Sequence, residues 1–208
     1  MIDFYTFPGP NGRKVQIMLE ELAVPYTVRT VDITRGEQFA PEFLRISPNN
    51  KIPAIVDHTK AGPVVVFETA AVLIYLAESS GRLLPLETAA RANTLAWTIW
   101  GTSSLGGALP QLHHFVDATE KLPAAIERFT TDCVRMFKVL DRRLAEVEYI
   151  AGPYSVADIP TYCSTLGWLQ RVKDLSGGTL GATPAIDRWL ADVSKREAVL
   201  RVMQPTRP

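Results

Sequence analysis

The chain has 208 residues, in which 22 lysines and arginines balance 22 aspartates and glutamates. Because a neutral chain offers no strongly basic surface, we expect neither a nucleic acid nor an anionic membrane as its partner. Hydrophobic residues make up 47% of the sequence, a share typical of folded globular proteins and too high for a disordered one. The length allows one large domain or two small ones.

Targeting signals and cysteines indicate the compartment. The sequence has no apolar run of the roughly 18 residues that a membrane helix needs, and no charged segment followed by an apolar one after Met1. We therefore expect no membrane span and no secretory signal. The two cysteines, Cys133 and Cys163, are too few for a disulfide framework and fall on apolar helical stripes. They indicate core packing in a cytoplasmic protein.

The first 80 residues alternate between strand and helix patterns. Strand patterns lie at residues 3–7, 26–31, 52–56 and 64–67. Helix patterns lie at residues 15–22, 41–46 and 70–77. This order predicts a βαβαββα domain over residues 1–80, with parallel pairing of the first two strands and an antiparallel hairpin of the last two.

The remainder of the chain has a helical pattern. Residues 81–87 are typical of a linker, and no convincing strand follows residue 88. Apolar residues with helical spacing recur at residues 92–99, 126–144, 159–166 and 186–193. The predicted fold class is therefore an α/β domain followed by an all-α helical bundle over residues 88–208.

Pro53 opens the third predicted strand. A proline at this position donates no hydrogen bond to the ladder, and tight strand entries sometimes contain a cis proline. The local sequence leaves the isomer open. If the bond were cis, the main-chain N–H and C=O of Ile52 would be available to pair with an extended peptide.

Two other candidate sites lie where a helix begins. Glu68 and Thr69 either cap a helix or grip a ligand, with Thr69 and free helix N–H groups binding a carboxylate and Glu68 an ammonium. Asn11 either caps the first helix or donates a hydrogen bond to a ligand thiolate, whose pKa the helix N-terminus lowers. The chain has no Cys-x-x-Cys motif, so such a thiol would come from outside the protein.

Two further motifs are interpreted as structural. His113 and His114 are adjacent, so on a helix their side chains point about 100° apart and cannot easily share a metal ion. Residues 155–158, Ser-Val-Ala-Asp, have the form of a capping box before an apolar run. We therefore predict no metal site, and a helix that begins at this box.

Taken together, these segments resemble the cytosolic glutathione transferases over nearly the whole chain. The resemblance rests on residues 48–57, 67–69 and 154–159. Within the family the chain is most similar to the bacterial Nu class and the nitrogen regulators related to it, on residues 10–14, 38–48 and 113–115. The resemblance implies a thioredoxin-like domain, glutathione as co-substrate and a homodimer. It also implies reduction of disulfides or conjugation of small electrophiles without a protein cysteine.

The resemblance implies roles for individual residues as well. Asn11 matches the residue that faces the glutathione sulfur, and the main chain of Ile52, beside a cis Pro53, matches the partner of the cysteinyl unit. The other contacts fall on Gln38 and Lys51 at the glycyl end, Glu68 and Thr69 at the γ-glutamyl end, and Arg128 from the helical domain. Candidates for contact with the second substrate are Trp97, Trp100, Leu109, His113, His114 and Phe115.

One position departs from the Nu pattern. Gly9 stands where the Nu class has a threonine hydroxyl, so one donor to the thiol is missing. Asn11 would then act with main-chain N–H groups, and Thr6, at the end of the first strand, could also point at the sulfur. This departure favours a second hypothesis, a non-catalytic glutathione-binding or regulatory module on the same fold.

Overall fold

A computed structural model describes residues 1–203, which group into two compact units. The first unit contains Met1–Leu84 together with the described residues from Arg196 onward, and the second contains Pro85–Lys195. In chain order the elements are β1 (Ile2–Thr6), α1 (Pro10–Leu22), β2 (Tyr26–Thr30), α2 (Pro41–Leu44), β3 (Ala54–Asp57), β4 (Val64–Phe67), α3 (Thr69–Ser80), α4 (Thr88–Ile99), α5 (Gly106–Asp117), α6 (Pro123–Glu146), α7 (Asp158–Leu175), α8 (Pro184–Ser194) and α9 (Glu197–Met203).

The first unit is built on a four-stranded mixed sheet in the order β2-β1-β3-β4. β1 pairs in parallel with β2 and antiparallel with β3, and β3 pairs antiparallel with β4. This arrangement confirms the predicted βαβαββα order and the sense of its strand pairs. β3 begins two residues later than predicted, at Ala54, because Pro53 has no N–H to contribute to the ladder.

In the first unit, β1 and α1 both pack into the core, and the start of α1 lies close to the end of β1. Alternate side chains of β1, Ile2 and Phe4, are buried. α1 buries Val15, Met18 and Leu22, at helical spacing, and packs against α3. Because the loop after β1 is short, the first turn of α1 lies immediately beyond the sheet.

The last helix, α9, belongs to the first unit although it lies at the end of the chain. It packs on α1, where the Arg196 guanidinium donates to both carboxylate oxygens of Glu21 at 2.6 and 2.9 Å. Arg201 of α9 also forms an ion pair with Glu20 of α1, with 2.7 Å between Arg201 Nε and Glu20 Oε2. The sequence prediction placed residues 88–208 in one helical domain, because apolar spacing identifies a helix without indicating which helix it packs against. Residues 204–208 lie outside the described part.

The second unit consists of helices and their connections, and its described residues contain no strand apart from one isolated bridge between Tyr149 and Gly152. This confirms the predicted all-α part of the fold class. Asp158, at the start of α7, is fully buried and accepts hydrogen bonds from the main-chain N–H of Ser155 at 2.9 Å and from the Trp189 indole at 3.0 Å. Burial raises the pKa of Asp158 to about 6, although these donors favour the ionised form.

Both cysteines are packed in the second unit. Cys133 is fully buried and Cys163 is 9% exposed. Burial, with a smaller contribution from the neighbouring Asp132, raises the pKa of the Cys133 thiol to about 12. A thiol with such a pKa supplies almost no thiolate at neutral pH.

Among residues 1–203, no helix has the length and apolar character needed to cross a membrane.

Candidate functional site

Strand register brings three of the predicted ligand-binding segments to one edge of the sheet. Tyr5 of β1 lies opposite Ala54 of β3, and Ala54 lies opposite Phe67 of β4. The chain just after β1, just before β3 and just after β4 therefore meets at the same edge. These segments carry the start of α1, the residues Ile52 and Pro53, and the residues Glu68 and Thr69, respectively.

The Asn11 side chain is exposed in the first turn of α1. Its oxygen Oδ1 accepts a hydrogen bond of 2.9 Å from the Nζ atom of Lys14. An ammonium group has only donors, so this contact assigns the oxygen to the Lys14 side and directs the Asn11 NH₂ group elsewhere. Asn11 is thus placed at the positive end of a helix with its donors turned away from Lys14.

Gly12 is the point of closest approach between α1 and the end of β1. A Cβ atom here would overlap the hydroxyl of Thr6 and lie 3.0 Å from the main-chain oxygen of Phe7. Only glycine lets the first turn of α1 sit this close to the strand. Thr6 Oγ1 donates to the Phe7 oxygen at 3.4 Å, and Thr6, Gly9, Gly12, Arg13 and Arg201 are among the residues that line a cavity of about 530 Å³.

Gly9 is under no such constraint. It is the N-cap residue of α1 and has an extended backbone, with φ 161° and ψ 171°, which any residue can adopt. A Cβ atom at Gly9 would meet no heavy atom within 4 Å. The absence of a hydroxyl at this position is therefore not imposed by crowding, and a threonine would fit.

The bond between Ile52 and Pro53 is cis, which settles the alternative that the sequence left open. The loop before it is held by the Ser47 hydroxyl, which donates to the carbonyl oxygen of Lys51 at 2.8 Å. Asn50 has a left-handed backbone with φ 50° and donates its N–H to the Ser47 oxygen. Ile52 lies between this loop and the start of β3, outside the strand pairs of the sheet.

Glu68 does not act as a side-chain cap of α3. Its carboxylate makes no hydrogen bond to the first turn of the helix and instead accepts one from Asn49 Nδ2 at 3.2 Å. Its backbone has φ 71°, an unfavourable value for a residue with a side chain, and such strain is concentrated at ligand-binding positions. Thr69 begins α3 directly after it. This geometry favours the ligand grip over the capping alternative.

The remaining predicted contact residues are Gln38, Lys51 and Arg128. Gln38 is on a 3-10 turn, Glu37–Phe39, and its buried Oε1 atom has no hydrogen-bond partner among the described residues. Lys51 is exposed. Arg128 belongs to α6 of the second unit, where its Nε donates to Asp132 at 3.4 Å. The roles implied for these three residues stay predictions.

Several candidates for second-substrate contact lie in aromatic clusters of the second unit. The rings of Trp97 and Trp100 are in edge contact, with centroids 5.3 Å apart. His113 Nδ1 lies 2.7 Å from Asp117 Oδ2, and Asp117 also pairs with Arg171. The other candidates are Leu109, which is buried, Phe115, which stacks on Phe129 at 5.6 Å, and His114, which with His113 lines a cavity of about 360 Å³.

Sequence reasoning missed two partners of the site residues. Lys14 donates a hydrogen bond to Asn11, and Asn49 donates one to Glu68. The first pair had a usable signal, because residues three apart on a helix are neighbours. The second pair is 19 residues apart along the chain and has no local signal.

Comparison with known proteins identifies the family. Residues 8–79 match the family model for the glutathione S-transferase N-terminal domain. The chain is 43% identical to the disulfide-bond oxidoreductase YfcG of Escherichia coli, over 95% of the chain and 92% of that protein. It is 36% identical to the disulfide-bond oxidoreductase YghU of the same organism, over 96% of the chain and 73% of that protein.

Solved structures agree with this assignment. A glutathione transferase family member from Pseudomonas fluorescens with two glutathione molecules bound has a TM-score of 0.89 and 38% identity, over 97% of this chain and 91% of that one. A glutathione transferase from Pseudomonas putida with glutathione disulfide bound has a TM-score of 0.88 and 33% identity, over 99% and 92% of the two chains. The resemblance recognised in the motifs is confirmed: the chain belongs to the glutathione S-transferase family.

Proposed function

We propose that the protein is a glutathione-dependent enzyme that reduces disulfides or transfers glutathione to small electrophiles. The observation that carries the proposal is the meeting of α1, Ile52–Pro53 and Glu68–Thr69 at one edge of the sheet. The names of the relatives support it, since two are disulfide-bond oxidoreductases and the structural neighbours hold glutathione or its disulfide.

The sheet unit supplies the grip on the tripeptide. Glu68 receives the ammonium of the γ-glutamyl unit, while the Thr69 hydroxyl and the N–H groups of α3 receive its carboxylate. The main chain of Ile52 pairs with the cysteinyl unit, as in strand addition. At the glycyl end the contacts are made by Gln38 and Lys51. Arg128 completes the set of binding residues carried over from the family.

The reacting sulfur comes from glutathione. Its thiolate is stabilised by the N-terminus of α1 and by a hydrogen bond from the NH₂ group of Asn11. In disulfide reduction this thiolate bonds to one sulfur of the substrate, and the other sulfur leaves as a thiolate and takes up a proton. A second glutathione thiolate then attacks the glutathione sulfur of the mixed disulfide, which forms glutathione disulfide, and the remaining substrate sulfur leaves as a thiolate and takes up a proton. Cys133 and Cys163 are buried and take no part.

The finer assignments belong to the same proposal. The protein acts in the cytoplasm as a homodimer, as the family resemblance implies. The aromatic residues of the helical unit contact the second substrate, which is a disulfide or an electrophilic small molecule. Sedimentation of the purified protein tests the dimer, since a monomer at working concentration would contradict it.

A non-catalytic glutathione-binding module is the second candidate, and Gly9 is the observation that favours it. Retention on immobilised glutathione tests the binding site. Turnover of 2-hydroxyethyl disulfide with glutathione tests the chemistry. We expect both; retention without turnover of disulfides or electrophiles would support the binding module, and failure of both assays would remove the proposal.

A further inference from the structure

Lys14 is a buried cation close to the candidate site. It lies on α1, three residues after Asn11, and is only 3% exposed. Burying an ammonium group is costly unless hydrogen bonds replace its hydration, and lysines are rarely buried without such partners. The position therefore carries a cost that an apolar side chain would avoid.

One contact of Lys14 bears directly on the proposed chemistry. Its Nζ atom donates to Asn11 Oδ1 at 2.9 Å, while the Asn11 side chain is itself exposed. If the amide of Asn11 rotated by half a turn, its NH₂ group would face the ammonium, donor against donor. Lys14 therefore excludes the orientation in which Asn11 offers an oxygen to an incoming thiolate.

We propose that Lys14 is a positioning residue, which holds the amide of Asn11 so that its NH₂ group faces the glutathione sulfur. This inference rests on the proposed function. Without Lys14, the amide samples both orientations, and one of them presents an oxygen that repels the thiolate. The ammonium also polarises the amide, which makes the NH₂ group a stronger donor.

This role predicts an effect on the chemical step rather than on glutathione affinity. The grip on the tripeptide belongs to Ile52, just before β3, and to Glu68 and Thr69 at the start of α3, whereas Lys14 lies on α1. Weakening a charge-assisted hydrogen bond by half lowers kcat by about tenfold or somewhat less. The KM for glutathione should change by less than about twofold.

Two substitutions separate the donor from the charge. Lys14→Met keeps the length of the side chain but has no donor, and we expect it to lower kcat by about tenfold. Lys14→Gln keeps a neutral donor, and we expect it to lower kcat by about threefold. Lys60→Met, which removes one exposed positive charge from the same unit, is the matched control and should leave kcat unchanged. The thiolate absorbance of bound glutathione in the ultraviolet should fall in the same order as kcat.

A double-mutant cycle decides whether Lys14 acts through Asn11. In an Asn11→Ala background, neither Lys14→Met nor Lys14→Gln should lower kcat further. Additive losses, or an equal change in kcat and KM, would overturn the inference. If Lys14→Met does not fold, the cycle with Lys14→Gln gives the same test. If the wild-type protein neither binds nor consumes glutathione, the proposed function itself fails, which is a distinct result from a normal wild type with an insensitive Lys14.

Discussion

Gly12→Ala is a sharp test of how α1 is set against β1. The new Cβ atom would overlap Thr6 Oγ1 and lie 3.0 Å from the Phe7 oxygen. Neither neighbour yields easily, because threonine is stiff at χ1 and the Phe7 oxygen belongs to the main chain. Overpacking of this kind costs roughly 1–3 kcal/mol, whereas alanine gains up to about 1 kcal/mol over glycine in a helix. We expect a net loss of about 1–2 kcal/mol in the free energy of unfolding.

The consequence for activity follows from relief of the overlap. If α1 moves outward by even part of an ångström, Asn11 moves with it, and misplacement by about 1 Å can cost a hundredfold in rate. Urea unfolding and 2-hydroxyethyl disulfide turnover measure the two effects. Gly107→Ala, in α5, is the matched control, because its Cβ would meet nothing within 4 Å. A Gly12→Ala protein as stable and as active as the Gly107→Ala protein would refute the reasoning.

Four other outcomes are expected. Gly9→Thr should raise disulfide turnover by up to tenfold, because a hydroxyl fits there and adds a donor; unchanged turnover would show that the hydroxyl does not reach the sulfur. Glu68→Ala should raise the Kd for glutathione by about tenfold or more in calorimetry, and an unchanged Kd would contradict the grip. Replacing Cys133 and Cys163 together by alanine should preserve the specific activity of the folded protein, whereas a folded but inactive variant would overturn the cysteine-free mechanism. The folded pKa of Asp158, about 6, lies above its usual value, so between pH 4 and pH 6 the free energy of unfolding of the wild type should fall by about 2 kcal/mol relative to that of Asp158→Asn; parallel urea-unfolding curves across this range would contradict the assignment.

Much of the fold was predictable from local patterns. β-Branched and aromatic segments marked the four strands, and apolar spacing marked the long helices, because both patterns reflect which face of an element is buried. The limits of β3 were less certain, since a strand pattern does not show where ladder hydrogen bonds begin. The partner of α9 was missed for a similar reason. Its docking depends on Arg196 and Glu21, which are 175 positions apart.

For the candidate site, the sequence predicted which residues belong to it better than it predicted their contacts. Motifs singled out Asn11, Pro53 and Glu68, but left cap and ligand alternatives open for two of them. For Glu68 the structure shows no capping hydrogen bond, because its carboxylate contacts Asn49 instead of the first turn of α3, and its ligand role stays a prediction. It also gave Asn11 an orientation through Lys14. Such choices depend on side chains that the fold brings within hydrogen-bond distance.

The amino-acid sequence by itself determined the kinds and order of the elements in the first 80 residues, the helical character of the remainder without its helices α5 and α9, the burial of both cysteines on helical stripes, and the family. These properties follow from short-range periodicity and from motifs that are contiguous in the chain. Only the tertiary structure decided that the ends of β1 and β4 and the start of β3 share one edge, through the register of Tyr5, Ala54 and Phe67. Register is a property of paired strands, set by packing over the whole sheet, and no single segment encodes it.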